Sequence, residues 1–259
     1  MSSTGPSSMP ATLRPVRALF FDLLGTTLDW HQQVVLSLQS HASHNPLLSS
    51  RSPPIDWDRF AHEWRESFFH VTSSQPASSA ENPLMTQLEV YMHALDSVCD
   101  KHGIGLDVWD RQEREEIYKG WWNMVAWPDT KAGLELLKTK YVCVGLTNGS
   151  AAFLLHLHKQ NDISYDLLLT SDILGAYKPQ PRVYQRGINL VQLKPEECAL
   201  VASHVSDLEA AKKQGMRSIY THRATEDLDV DVSKHDFDLV VDEGGLVELA
   251  RRLGVQQAL

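Results

Sequence analysis

Residue types able to do chemistry collect where the apolar, strand-like runs of this sequence end. Four such ends carry them: Asp22 with Gly25 and Thr26, the run Thr147-Asn148-Gly149-Ser150, the pair Lys178-Pro179, and Ser203-His204 followed by Asp207. Each group alone is an ordinary turn, helix cap or surface charge. Ligands of parallel sheets bind outside the carboxyl ends of the strands, so the four groups together indicate one reactive site at a sheet edge.

Asp22 follows the apolar run ALFF, although placing a charge in apolar surroundings is costly. A carboxylate in that position can attack an electrophilic carbon or phosphorus atom and form an ester or acyl phosphate, which water then cleaves. It must stay ionised, and Lys178 is the cation that favours its charged form. Thr26, Thr147 and Asn148 offer hydroxyl and amide groups that can position the carboxylate or a bound acid.

Short strand patterns alternate with helical patterns after Trp127. The strand patterns lie in YVCVGLTNGS, YDLLLTSDILGAYKP, ECALVASH, RSIYTHR and FDLVVD. Helical patterns of about ten to fifteen residues separate them, which indicates parallel pairing. The strands are apolar almost throughout, as in a sheet that is covered on both faces. We therefore predict an α/β fold with a doubly wound, Rossmann-like parallel sheet.

The segment from Trp30 to about Trp127 has helical apolar spacing only. Its helical patterns are separated by two Pro/Ser-rich stretches, NPLLSSRSPP and SSQPASSAENP, which we interpret as loops. We predict an all-helical cap inserted into the α/β core. The predicted divisions are a disordered N-terminal tail (1–15), the core (16–29 and 127–259) and the cap (30–126).

The overall charge and cysteine content restrict the class of partner. The net charge is −9 and no Lys/Arg cluster offsets it, which argues against nucleic-acid or membrane binding but leaves a small anionic substrate open. Three widely spaced cysteines without metal-ligand spacing predict reduced thiols and a cytoplasmic protein. The Trp-rich stretch WWNMVAW is either core or a subunit contact, so a homodimer is also open.

The order D-x-x-G-T, T-N-G-S, K-P and an acidic fourth motif resembles the haloacid dehalogenase superfamily, from Val16 to about Leu253. FFDLLGTTLDW, KPQPRVY and LVASHVSDLEAAKKQGM are most similar to its S-2-haloacid dehalogenase (type II) branch. The resemblance implies a hydrolase whose Asp22 displaces halide from C2 of a small 2-haloacid. Water then hydrolyses the covalent ester to a 2-hydroxy acid, without a cofactor.

The same resemblance implies roles for further residues. Asp207 would help to activate water and pair with Lys178, Tyr184 would orient the substrate carboxylate, and the cap residue Arg65 would grip that carboxylate. The expected catalytic residues are Asp22, Thr26, Lys178 and Asp207, and the expected substrate-binding residues are Leu24, Arg65, Thr147, Asn148, Tyr184, Ser203 and His204. The candidates for an apolar wall are Trp30, Trp64, Phe68 and Phe69.

Three positions depart from the dehalogenase pattern: Leu24 and Ser206 stand where aromatic residues are common, and His204 where Asn is common. Phosphatases of the superfamily usually carry an acidic proton donor at the place of Leu24. Halide needs no proton to leave, so an apolar residue there fits dehalogenation. His204 is either a polar replacement or a proton carrier.

Two alternative functions stay open. A Mg²⁺-dependent phosphatase acting on a small or isoprenoid phosphate would hold the ion with Asp22, Asp207 and the backbone of Leu24. It would need His204 or water as its proton donor, and Ser203 replaces one of the two carboxylates that typically bind the metal. The other alternative is a non-catalytic binding protein on the same fold.

Overall fold

A computed structural model of the protein describes residues 9–255. In chain order, its strands and helices are β1 (Ala18–Phe21), β2 (Leu28–Asp29), α1 (His31–Ser43), α2 (Pro46–Ser49), α3 (Trp57–Ser74), α4 (Gln87–Lys101), α5 (Arg111–Tyr118), β3 (Val125–Ala126), α6 (Thr130–Lys138), β4 (Val142–Leu146), α7 (Ala151–Asn161), β5 (Leu167–Leu169), α8 (Ser171–Leu174), α9 (Pro181–Val191), β6 (Cys198–Ala202), α10 (Val205–Lys212), β7 (Arg217–Thr221), β8 (Leu239–Val241) and α11 (Gly245–Arg252). Short 3₁₀ helices span Ala11–Leu13, Lys119–Asn123, Pro195–Glu197 and Val232–Lys234.

Six parallel strands form the main sheet, in the order β5-β4-β1-β6-β7-β8. The chain places β4 and β5 on one side of β1 and then β6, β7 and β8 on the other. The strand order therefore reverses at β1, where doubly wound sheets bind their ligands. The predicted fold class is confirmed.

Strand β1 is apolar on both faces because both faces are covered. Leu19 and Phe21 belong to one buried apolar cluster, and Ala18 and Phe20 belong to a second cluster across the sheet. Successive side chains of a strand point to opposite faces, which explains the uninterrupted run ALFF. The first cluster also includes side chains of the cap helices, so the cap and this face of the sheet share one core.

The chain between β2 and β3 is helical, as predicted. Strands β2 and β3 pair antiparallel at its base, with Leu28 opposite Ala126 and Asp29 opposite Val125. This pair was not predicted, because strands of two residues carry no alternating pattern. The division of the chain into core and cap stays a prediction.

Helix α3 carries Arg65 and is fixed at its N-terminus and along one face. The Asp56 carboxylate accepts a hydrogen bond from the Arg59 N–H, which caps the helix. Phe60, Trp64 and Phe68 are buried at four-residue intervals, so they form one apolar face. That face packs on α4, which begins with a capping box of Thr86 and Glu89.

Two sequence-based expectations differ from the structure. The stretch NPLLSSRSPP contains helix α2, since Asn45 caps it and Pro46 occupies its first turn. Within the predicted disordered tail, Ala11–Leu13 form a 3₁₀ helix, and Leu13 is buried in the core. Residues 1–8 of that tail lie outside the described residues.

Three further expectations concerned membrane crossing, the cysteines and the stretch WWNMVAW. No helix within residues 9–255 has the length and apolar character needed to cross a bilayer. All three cysteines are free and buried. In the stretch WWNMVAW, Trp121 stacks on Trp30 in the core with ring centroids 5.3 Å apart, while a homodimer stays a prediction.

Candidate active site

A cavity of about 530 Å³ opens at the carboxyl ends of β1, β4 and β6, beneath helix α3. Its walls combine ionisable and polar groups of the core with aromatic and charged groups of the cap. The residues that line it are Asp22, Leu24, Arg65, Glu66, Phe68, Phe69, His70, Ser73, Tyr91, Thr147, Asn148, Lys178, Pro179, His204, Ser206, Asp207 and Asp227.

Asp22 lies directly after β1, and its carboxylate is surrounded by donors. Oδ1 accepts a hydrogen bond from Lys178 Nζ at 2.6 Å. Oδ2 accepts one from Thr26 Oγ1 at 2.8 Å and lies 2.9 Å from His204 Nδ1. Burial alone would raise the pKa of Asp22, but the charge of Lys178 and the hydrogen bond with His204 hold it well below its usual range. The carboxylate is therefore ionised.

Lys178 joins the two acids of the site. Its Nζ lies 2.6 Å from both Asp22 Oδ1 and Asp207 Oδ2. Burial would lower the pKa of this amine, but the charges of Asp207 and Asp22 raise it above its usual value. The Asn148 side chain accepts a hydrogen bond from the Lys178 N–H at 2.7 Å and donates one to its carbonyl at 3.2 Å. Asn148 thus positions the main chain of Lys178.

Asp207 lies in the first turn of α10 and is held on both oxygens. Oδ2 is bound by Lys178, and the Tyr184 hydroxyl donates to Oδ1 at 2.5 Å. Tyr184 is buried and does not line the cavity. The structure therefore places the Tyr184 hydroxyl against Asp207 and not where we expected it, against a substrate carboxylate.

Ser203 and Thr147 are placed differently from each other. The Ser203 hydroxyl donates to the Thr221 carbonyl at 2.5 Å, and Ser203 does not line the cavity. Its N–H donates to Thr26 Oγ1 at 2.9 Å, so Ser203 fixes the hydroxyl that binds Asp22. Thr147 does line the cavity, and its hydroxyl oxygen accepts a hydrogen bond from the Gly149 N–H.

His204 connects Asp22 to a buried acid, Glu226. Its Nδ1 faces Asp22, and its Nε2 lies 2.7 Å from Glu226 Oε2. Burial would lower the pKa of this imidazole, but the hydrogen bonds with Asp22 and Glu226 raise it to about 9. The two carboxylates therefore favour the protonated form of His204 at neutral pH.

Glu226 was missed in the sequence, although its side chain is fully buried at the centre of this network. Its carboxylate binds Arg65 Nη1 at 2.5 Å, and it accepts hydrogen bonds from Trp30 Nε1 at 2.7 Å and Thr225 Oγ1 at 2.9 Å. Burial would raise the pKa of this acid, but Arg65 and His204 lower it to about 2. The carboxylate follows strand β7, so the strand-end rule applied to RSIYTHR would have found it.

Gly25 makes room for the Glu226 carboxylate. Its φ of +90° lies in the region that favours glycine. A Cβ at this position would also lie 2.4 Å from the Glu226 carboxyl group. The turn after Asp22 and the buried acid therefore depend on the same glycine.

Arg65 faces the cavity but already has partners. Besides its ion pair with Glu226, its Nη2 donates to the Leu24 carbonyl at 3.1 Å. Its guanidinium lies 5.0 Å from the centre of the Phe69 ring and 4.9 Å from that of Trp30. The Nη2 also lies 2.8 Å from His204 Nε2, and the Glu226 carboxylate, which contacts both groups, offsets part of the repulsion between their positive charges.

The expected aromatic wall is only partly present at the cavity. Phe68 and Phe69 line it, together with Tyr91. Trp30 and Trp64 are fully buried outside it, where their indole N–H groups donate to Glu226 and to the Tyr91 carbonyl. The aromatic part of the cavity wall therefore consists of Phe and Tyr side chains of α3 and α4.

The oxygen atoms that could hold Mg²⁺ are already bound by protein donors. Lys178 takes one oxygen each from Asp22 and Asp207, and Arg65 takes the Leu24 carbonyl. Mg²⁺ requires near-octahedral coordination by oxygen ligands. A Mg²⁺ ion at this place would therefore compete with Lys178 and Arg65 for these oxygens.

The family of haloacid dehalogenase-like hydrolases matches residues 16–215, which is more than half of this chain. The chain therefore belongs to the haloacid dehalogenase-like hydrolases, and it is an enzyme of that class. This confirms the resemblance seen in the sequence at the level of the superfamily.

Individual relatives of the chain include dehalogenases, which align along most of it, and a phosphatase, which aligns along about half. (S)-2-haloacid dehalogenase 4A of Burkholderia cepacia is 26% identical over 215 residues, covering 80% of this chain and 84% of that protein. The crystal structure of the defluorinating L-2-haloacid dehalogenase Rha0230 superposes with a TM-score of 0.77 at 27% identity, covering 95% of this chain and 98% of that one. Glyceraldehyde 3-phosphate phosphatase of Pyrococcus furiosus is 25% identical over 126 residues, covering 47% of this chain and 52% of that protein.

Proposed function

We propose that this hydrolase displaces halide from C2 of a small 2-haloacid, with Asp22 as the nucleophile, and releases a 2-hydroxy acid. The observation that carries the proposal is the state of Asp22: a buried carboxylate on the cavity wall, kept ionised by Lys178. An ionised, poorly hydrated carboxylate is a capable nucleophile towards carbon. The dehalogenase relatives that align along most of the chain support the same reaction.

In the first step, Oδ1 of Asp22 attacks C2. Among the described residues, Lys178 is the one hydrogen-bond donor to Oδ1, which keeps a lone pair, whereas Oδ2 faces two donors. As the Oδ1–C2 bond forms, the carbon–halogen bond breaks and halide leaves with its electron pair, inverting C2. Halide needs no proton, which agrees with the apolar side chain of Leu24 on the cavity wall.

In the second step, water attacks Cγ of the resulting ester. The negative charge then develops on Oδ2, which faces Thr26 Oγ1 at 2.8 Å and His204 Nδ1 at 2.9 Å. Donors placed where charge develops are the largest contributors to many such reactions. Asp207 takes the proton of the attacking water and returns it to the departing alkoxide. The Cγ–Oδ1 bond breaks, so Oδ1 leaves in the 2-hydroxy acid, the oxygen of the water stays in the Asp22 carboxylate, and the second proton of the water is released to solvent.

Arg65 is the group in this proposal that holds the substrate carboxylate. It lines the cavity and has N–H groups beyond those bound to Glu226 and the Leu24 carbonyl. Phe68, Phe69 and the side chain of Leu24 would enclose the halogen-bearing carbon. Because Glu226 balances part of the Arg65 charge, we expect modest affinity for the anion and a preference for small acids.

The test is halide release from each enantiomer of 2-chloropropionate, with and without EDTA. We expect release from one enantiomer, unchanged by EDTA and absent in Asp22→Asn. Asp229→Asn, which alters an exposed carboxylate, is the matched control and should keep full activity. Halide release that persists in Asp22→Asn would refute the nucleophile.

A Mg²⁺-dependent phosphatase is the second candidate, and one feature favours it. His204 is protonated at neutral pH and contacts Asp22, so it could protonate a leaving alkoxide in place of the missing acid. Phosphate release from small or isoprenoid phosphates that EDTA abolishes, without any halide release, would establish this candidate instead. Membership of a hydrolase family speaks against the third, a non-catalytic binding protein.

A further inference from the structure

A second cluster of potential ligands lies in the cap, next to Trp30. His31 is the first residue of α1, and Asp58 and His62 are one turn apart on α3. Residues four apart on a helix lie on the same face. One donor atom from each of the three side chains lies within 4.8 Å of the other two. None of the three lines the active-site cavity.

His62 is held by Asp58 through one ring nitrogen and has a second ring nitrogen without a partner in residues 9–255. Its Nδ1 lies 3.0 Å from the main-chain carbonyl of Asp58, which can only accept, so Nδ1 carries the hydrogen. The Nε2 atom is buried and has no hydrogen-bond partner within residues 9–255, so in the tautomer with hydrogen on Nδ1 it offers a lone pair. Metal-binding histidines are commonly oriented by donating their other N–H to a backbone carbonyl.

His31 presents a similar nitrogen from the neighbouring helix. Its Nε2 is also buried, and it lies at ion-pair distance, 2.8 Å, from Asp58 Oδ1. The two imidazole rings are 4.7 Å apart, and each packs against the Trp30 ring at 5.3 Å. Two ring nitrogens and one carboxylate oxygen therefore converge, with both rings held by packing.

We propose that His31, Asp58 and His62 form a Zn²⁺ site with water as the fourth ligand. Two nitrogens and one carboxylate are a common protein ligand set for tetrahedral zinc, with bonds of about 2.0–2.2 Å. Asp58 is exposed, so its side chain is free to make the small adjustment that brings all three atoms to this distance. Mg²⁺ prefers oxygen ligands and would bind poorly here.

The site ties the start of α1 to the first turns of α3. Helix α3 also carries Arg65. The Arg65 guanidinium lies 4.9 Å from the centre of the Trp30 ring, against which both histidines pack. Trp30 in turn donates to Glu226. Zinc at this position would therefore stabilise the junction from which the cap presents Arg65 to the cavity.

The test is equilibrium dialysis of tag-free, EDTA-stripped full-length protein against ZnCl₂, with the bound metal quantified. We expect one Zn²⁺ per chain, not displaced by excess Mg²⁺. The dissociation constant should rise more than about 10-fold in His62→Gln and in Asp58→Asn, since even residues that only hydrogen-bond to a ligand cause losses of that size. The matched control is His93→Gln, an exposed histidine of α4, which should bind zinc as the wild type does.

Two further measurements separate this site from loose binding to surface histidines. Co²⁺ bound in place of zinc should give the intense visible absorption of a four-coordinate ion in the wild type and lose it in His62→Gln. Zn²⁺ should raise the Tm of the wild type and leave that of His62→Gln unchanged. No bound zinc, or an affinity that falls equally in His62→Gln and His93→Gln, would overturn the proposal, and neither readout depends on catalysis.

Discussion

Replacing Glu226 by Gln removes one buried charge from the chain of contacts between Arg65, His204 and Asp22. Glu226 Oε2 lies 2.7 Å from His204 Nε2, and the Glu226 side chain is fully buried, so water screens this contact little. A neutral amide at this position still accepts a hydrogen bond but no longer attracts the imidazolium. We therefore expect the pKa of His204 to fall in Glu226→Gln.

The size of the fall follows from the pKa of His204 in the wild type, which is raised from 6.5 to about 9. That difference corresponds to about 3 kcal/mol in favour of the protonated ring. Asp22 and Glu226 each hold one ring nitrogen, and the Asp22 hydrogen bond is the larger contribution. Removing the Glu226 charge should lower the pKa of His204 by roughly one unit, or about 1.4 kcal/mol.

The sign of the linked stability effect is also defined. Because the pKa of His204 is higher in the folded than in the unfolded protein, its contribution is fully present below pH 6.5 and is lost as the pH rises through about 9. In Glu226→Gln this loss should occur at lower pH. The assay is an NMR titration of ring-labelled histidines, with His204 assigned from the spectrum of His204→Gln, alongside unfolding curves between these pH values.

The matched control is Glu113→Gln. This substitution removes the charge of a partly exposed carboxylate that pairs with the ring of His41. It should leave the His204 titration unchanged. Circular dichroism must first show that Glu226→Gln is folded, because the variant leaves the buried Arg65 with one counter-charge fewer. A His204 pKa near 6.5 in the wild type, or one unchanged in Glu226→Gln, would refute the electrostatic role of Glu226.

Three further substitutions test the geometry of the site. Gly25→Ala should destabilise the fold by about 1–3 kcal/mol in urea unfolding, because of its positive φ and the Glu226 carboxyl, and an unchanged midpoint would contradict this. Tyr184→Phe, which removes a donor from Asp207, should lower kcat with little change in KM, whereas a rise in KM alone would indicate substrate contact. Arg65→Lys should raise KM for a 2-haloacid, since a single ammonium cannot replace the guanidinium fork, and an unchanged KM would remove Arg65 from substrate binding.

The sequence was sufficient for the strand-end residues, because they depend on local pattern and on one rule of sheet architecture. Apolar runs in the sequence indicated strands β1, β4 and β6, and polar side chains of the site follow each of these strands. The structure brings Asp22 and Asp207 each within hydrogen-bond distance of Lys178. The helical character of the cap also followed from residue spacing alone.

Side-chain orientation could not be predicted in this way. Tyr184 and Ser203 lie near the site, but tertiary hydrogen bonds turn their hydroxyls towards Asp207 and the Thr221 carbonyl. The Arg65–Glu226 pair joins α3 to the segment after β7, far apart in the chain. The convergence of His31 with His62 likewise depends on how α1 packs on α3.

The most direct measurement of the central claim is a single turnover in H₂¹⁸O, with enzyme in excess over 2-chloropropionate. If Asp22 forms an ester that water cleaves at Cγ, the first turnover places ¹⁸O in the peptide that contains Asp22 and leaves the product hydroxyl unlabelled. Asp22→Asn should release neither halide nor product. Label in the hydroxyl of the first product molecules, with an unlabelled Asp22, would show that water attacks C2 directly and would contradict the covalent mechanism.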